Sequence, residues 1–125
     1  MKIFITALII LFTIEAYPAQ ASDLWTWTPQ DSALASTLIA VDLMDYATTI
    51  QCAKHPDGYR ERNRTMGEHP SVGAVQRFFP ILIASQIAFE VIAPHPYRGY
   101  FQLYDIGVEA WAVYGNRKIG LKISF

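Results

Sequence analysis

The chain has 125 residues, with ten Lys or Arg against eleven Asp or Glu, a net charge of −1, and 52% hydrophobic residues. That near-neutral balance argues against a nucleic-acid partner, whose phosphates call for a basic surface. The only cysteine is Cys52, so no intramolecular disulfide exists and an oxidising compartment would add no covalent staple.

Met1-Lys2 followed by the apolar run Ile3 to Ile14 reads as a secretory leader. The run is shorter than the ~20 residues that span hydrocarbon. Pro18 and Ala19-Gln20-Ala21 supply a cleavage signal, so the expected organisation is a signal peptide over 1–21 and one domain over 22–125. Removing Lys2 and Glu15 leaves the net charge unchanged.

Three segments then read as helices. The first spans about 32–53, with Asp31 or Ser32 as its cap. The second spans about 71–93, with Ser71 as N-cap and Pro94-His95-Pro96 as its stop. Pro80 lies inside it and should kink or break it, because proline removes a backbone donor. The third spans about 97–114 and ends near Gly115-Asn116. Ile119, Leu121, Ile123 and Phe125 alternate as in a short extended tail. The fold class expected is all-α, a three-helix bundle that crosses the membrane.

Charge sorts by loop. Ser22 to Gln30 has no Lys or Arg, and the connection between the second and third helices holds Arg98 alone. The first interhelical loop holds Lys54, Arg60, Arg62 and Arg64, and the tail holds Arg117, Lys118 and Lys122. The positive-inside rule therefore predicts an inner-membrane protein, N-terminus periplasmic and C-terminus cytoplasmic. Trp25, Trp27, Tyr97, Tyr100 and Phe101 would line the outer interface, and Arg77 would snorkel toward cytoplasmic headgroups. The competing reading is a soluble periplasmic helical bundle, which has no reason to sort its basic residues this way.

The helices also carry acids: Asp42 and Asp45 on the first, Gln86 and Glu90 on the second, Asp105 and Glu109 on the third. Spacings of three or four residues put each pair on one helical face. An acid at the bilayer centre costs ~2.5–3.5 kcal/mol on insertion scales, so these faces should meet. Asp42, Gln86, Asp105 and Glu109 would form a polar core, with Glu90 nearer the outer interface. Two roles remain open for it. One is interhelical hydrogen bonding that includes Thr48 and Thr49; the other is a proton or cation site.

Asp45-x-x-Thr48, then Glu61-Arg62-Asn63-Arg64 and Gly67-Glu68-His69-Pro70-Ser71, resembles a pattern of small uncharacterised phage and bacterial membrane proteins. In that family a D-x-x-T helix precedes an E-x-N-P loop and further hydrophobic helices. Here Arg64 stands where the proline would be, and the similarity spans Asp42 to Ser71 with an echo at Asn116 to Gly120. The resemblance implies a membrane location and no established activity. Read physically, Glu61 would accept backbone hydrogen bonds at a helix start and Asn63 would sit in a tight turn.

A catalytic or metal site built from Asp45, Glu61, Asn63 and His69 is the alternative use of that loop. His55, His69 and His95 lack paired metal-ligand spacing, and no H-E-x-x-H, glycine-rich phosphate loop or G-x-S-x-G elbow occurs. No cofactor is expected. The function expected is therefore a non-enzymatic, exported envelope membrane protein, of phage or host origin. It would sit in the lipid bilayer and bind another membrane protein or itself. The alternatives are a minimal enzyme or a proton- or cation-handling protein that uses the buried carboxylates.

Overall fold

The computed structural model describes residues 24–59, 66–67 and 69–123. Among them it is all-helical, with α1 (Pro29–Lys54), α2 (Val72–Ile92) and α3 (His95–Lys118). The expected leader and its cleavage site, and the loop residues Glu61 and Asn63, lie outside the described residues.

α1 begins earlier than the sequence reading placed it. Thr28, not Asp31 or Ser32, is the N-cap: its hydroxyl accepts from the Asp31 amide at 3.2 Å, and Asp31 Oδ2 accepts from the Thr28 amide at 2.8 Å. This reciprocal pair satisfies two donors that the first turn would otherwise leave free. Pro29 fits the first helical position because its missing N–H is not needed there.

α2 starts on Ser71 as expected, with Ser71 Oγ accepting from the Ala74 amide at 3.2 Å. Ala93, at φ −73° and ψ 132°, is pushed out of helical geometry by the proline after it. Pro80 does not break the helix, which continues through it. Pro80 and Gln76, whose carbonyl loses its donor, both lie on the exposed side, so no interior group is orphaned.

α3 has Pro96 in its first turn and runs through Gly115-Asn116 to Lys118, four residues beyond the expected end. Its stop is Gly120, at φ 95°. The Gly120 amide donates to Arg117 O at 3.0 Å and the Leu121 amide to Asn116 O at 3.1 Å, a Schellman closure in which Leu121 is buried. Residues 121–123 are irregular and form no strand, so the expected extended tail is not seen there.

Both α2 and α3 pack mainly on α1 and touch one another sparingly. The α2–α3 contact lies near their connection, where Phe89 and Phe101 meet edge to face at 4.9 Å. At the opposite end Ile50, Val75 and Phe79 form a small apolar cluster against Tyr46, Met66 and Leu82.

Polarity is distributed unlike that of a typical water-soluble bundle, because charged and amide side chains share the interior with Leu38, Ala47, Ile50, Val75, Phe79 and Leu121 while many large apolar side chains are exposed. Asp31, Asp42, Asp45, Thr48, Thr49, Glu90, Arg98, Gln102 and Asn116 are buried. Ile81, Val91, Ile92, Tyr100, Leu103, Tyr104, Val108, Trp111 and Tyr114 are exposed. α1 and α2 are each long and apolar enough to cross a membrane, and only 11% of the apolar stretch of α2 is buried within the protein.

Candidate functional site: a polar interior between the helices

Along α1 the polar interior has three levels, named outer at the N-terminal end of α1, middle, and inner at its C-terminal end. The outer level is built on Arg98, which is 1% exposed. Its guanidinium donates to four oxygens: Glu90 O at 2.7 Å, Ala93 O at 2.9 Å, Thr26 O at 3.0 Å and Asp31 Oδ2 at 3.1 Å. Its Cζ also lies 4.6 Å from the Trp27 ring centroid. One side chain thus ties the segment before α1, the first turn of α1, the end of α2 and the start of α3. Only arginine has enough forked donors for this geometry.

Gln102 extends the same level. Its amide donates to Asp31 O at 3.0 Å and to Glu90 Oε2 at 3.1 Å. His95 Nδ1 approaches Asp31 Oδ2 at 3.3 Å, and the His95 amide donates to Leu24 O at 2.7 Å.

At the inner level Asn116 reaches across from α3. Its Nδ2 donates to Asp45 Oδ1 and to Thr48 Oγ1, both at 2.9 Å. Thr48 Oγ1 in turn donates to Asp45 O at 3.0 Å, and Thr49 Oγ1 lies 3.4 Å from Asp45 Oδ1. A polar group on one helix so satisfies the carboxylate of another, joining α3 to α1 by hydrogen bonds.

The middle level differs. Asp42 is 0% exposed, yet neither of its oxygens has a donor within hydrogen-bond geometry. The Gln86 side chain on α2 approaches Asp42 as a loose hydrogen-bond partner short of good geometry, and Gln86 Oε1 is itself without a donor. Asp105 and Glu109, half-buried on α3, lie within electrostatic range of Asp42, and Glu109 within range of Asp45. Arg98 is the one buried basic residue among those described, and it is spent on the outer level.

The sequence-derived set Asp42, Gln86, Asp105 and Glu109 is therefore brought together, with Asp45 and Thr48 just below and Glu90 above. His69 is exposed in the bend before α2, apart from these groups. Arg98, counted from sequence in the connection between the second and third helices, lies within α3 and is the one buried cation among the described residues, because its donors match carbonyls released where α2 ends. Asp31, read from sequence as a helix cap, and Asn116, read as part of a helix stop, also belong to this interior, together with Gln102, which the sequence did not single out. Thr28-x-x-Asp31 carries a capping-box signature that would have found the first of these. Among the described residues no three His, Cys, Asp or Glu side chains are grouped as a metal ion requires. No protein-family model, curated protein or solved structure matches this chain.

Proposed function

We propose that this is an integral membrane protein of the cell envelope that works by binding another protein rather than by catalysis. The observation that carries this reading is the distribution of polarity. Water would solvate Asp42, Asp45 and Gln102 and drive Trp111, Tyr104 and Ile92 inward, whereas lipid reverses both preferences. α3 supports a third crossing even though it falls below the hydropathy of α1 and α2. Its 24 residues extend ~36 Å; before its last turn the charged and amide side chains are buried or half-buried, and Tyr100, Leu103, Tyr104, Val108, Trp111 and Tyr114 face out.

The orientation proposed has the N-terminus outside and the C-terminus in the cytoplasm, with the inner membrane as its location. Burial of Arg98 sharpens the charge asymmetry, since the outer connection then displays no basic residue. Arg117, Lys118 and Lys122 remain exposed at the other end. Membership of the small phage and bacterial membrane proteins that share the D-x-x-T and E-x-N patterns belongs to the same proposal.

Reporter fusions after Gly58 and after Phe125 test it. Both junctions should give activity with a cytoplasmic reporter and none with a periplasmic one, and the protein should stay in the pellet after carbonate extraction. Release into the supernatant would show a soluble bundle and end this reading.

A further inference from the structure

We propose that the middle polar level, Asp42 with Gln86, Asp105 and Glu109, receives a Lys or Arg side chain from a membrane-spanning helix of a different protein. The proposal rests on the membrane reading above and names the chemistry of the partner.

The buried side-chain atoms left without a partner around this level are acceptors. They are both oxygens of Asp42, Oε1 of Gln86 and, toward the outer level, Oε1 of Gln102; the one remaining unbonded buried atom among the described residues, Nδ1 of His95, lies 3.3 Å from Asp31 Oδ2 at the outer level. A single proton would give this set one donor. An ammonium brings three donors and a guanidinium five, together with the opposite charge. The chain itself meets the equivalent need at the outer level with Arg98, whose guanidinium pairs with Asp31. Nothing among the described residues does so for Asp42. Leaving an acid buried and unpaired is costly, and a hydrogen-bonded charge partner removes that cost.

The way in is lateral. α2 and α3 both lean on α1 and touch each other mainly near their outer connection. Asp105 and Glu109 on α3 and Gln86 on α2 keep partial exposure, while Asp42 sits fully enclosed behind them. A helix lying against α2 and α3 would present one basic side chain to these half-buried groups, with Asp42 behind them. The groups it would face are Asp42 and Asp45 on α1, Gln86 and Glu90 on α2, and Asp105 and Glu109 on α3.

A second copy of this chain does not fit as the occupant. Its candidate cation, the exposed Arg77, lies between Val75 and Phe79, which pack at the level of Ile50. Asp42 is eight residues above Ile50 on α1, a rise of ~12 Å, farther than an arginine side chain extends.

The test uses the full chain in phosphatidylcholine vesicles. A leucine-rich, tryptophan-free spanning peptide with one central Lys and a fluorescent acceptor is added, beside a control peptide with Leu at that place. Energy transfer from the tryptophans, Trp111 foremost, reports association. The Lys peptide should bind about tenfold more tightly than the control. Asp42→Asn, alone and with Glu109→Gln, should abolish the preference at unchanged helicity, and Arg77→Ala should leave it intact. If the double variant loses helicity, the single Asp42→Asn variant decides.

Equal binding of the two peptides would overturn the proposal, as would a Lys preference that survives Asp42→Asn. Equal binding together with labelling of Asp42 or Glu109 by a hydrophobic carbodiimide would assign these acids to protons instead. Loss of the preference's premise is distinguishable from loss of the membrane reading, because the former leaves the protein in the carbonate pellet and the latter releases it.

Discussion

Replacing Arg98 with Ala tests whether one side chain holds the outer end together. Four hydrogen bonds disappear, three to main-chain carbonyls and one to Asp31, along with the stacking on Trp27. Hydrogen bonds to a charged group contribute about 1.5–3 kcal/mol each, but such contributions are not additive when one residue makes them all. Removing one partner of a buried pair costs about 3–5 kcal/mol. Asp31 keeps its bonds to the Thr28 amide and hydroxyl, which softens the loss at that partner. The expected destabilisation is therefore about 4 kcal/mol. Arg98→Lys should lose about half as much, because three donors on a flexible stem cannot serve four fixed acceptors. The assay is reversible unfolding in mixed micelles of a non-ionic detergent and SDS, followed by circular dichroism. An Arg98→Ala protein within about 1 kcal/mol of the parent would refute the reasoning, since solvent or lipid headgroups would then be replacing the guanidinium at little cost.

Asp42→Leu should stabilise the isolated protein by about 1–3 kcal/mol in the same assay, because it removes an acid that is desolvated without an opposite charge and with only the loose approach of Gln86; a destabilised variant would mean that Gln86 already satisfies Asp42. Asn116→Ala should cost about 1–2 kcal/mol by stripping the donor from Asp45 and Thr48, and a loss below about 0.5 kcal/mol would show that this contact is not holding α3 to α1. Gly120→Ala should cost about 1 kcal/mol, as its φ of 95° strains any residue with a Cβ, and fraying of the last turn of α3 should appear as faster amide exchange at Leu121. Unchanged exchange there would argue that the closure contributes nothing.

Much of the architecture was legible because it is local. The dyad of prolines at 94 and 96 ends one helix and permits the next, Ser71 marks a start, and three- or four-residue spacings put the acids on facing surfaces. What failed to show was set by contacts distant in sequence. Arg98 follows a proline-rich turn and so looks like a loop charge, but its partners Asp31 and Thr26 lie 67 and 72 residues away. Gly115-Asn116 has the composition of a helix stop. The chain stays helical there because Asn116 faces an acid on α1, and the left-handed turn is deferred to Gly120. The start of α1 at Thr28 is set locally, since Thr28-x-x-Asp31 forms a reciprocal cap, but Asp31-Ser32 offers a competing cap signal a few residues on.

The arrangement in which two helices share a single support has a kinetic corollary. α2 and α3 have little to say to each other away from their connection, so a hairpin of the two would hover half-assembled until α1 received it. The inner polar rung joins residues 71 apart, Asp45 and Asn116, and therefore stays unlatched while the ribosome is still delivering the last helix. During that interval the carboxylates of α1 stand without the polar groups that α3 will bring, and whatever companion reaches them first would meet an open seam.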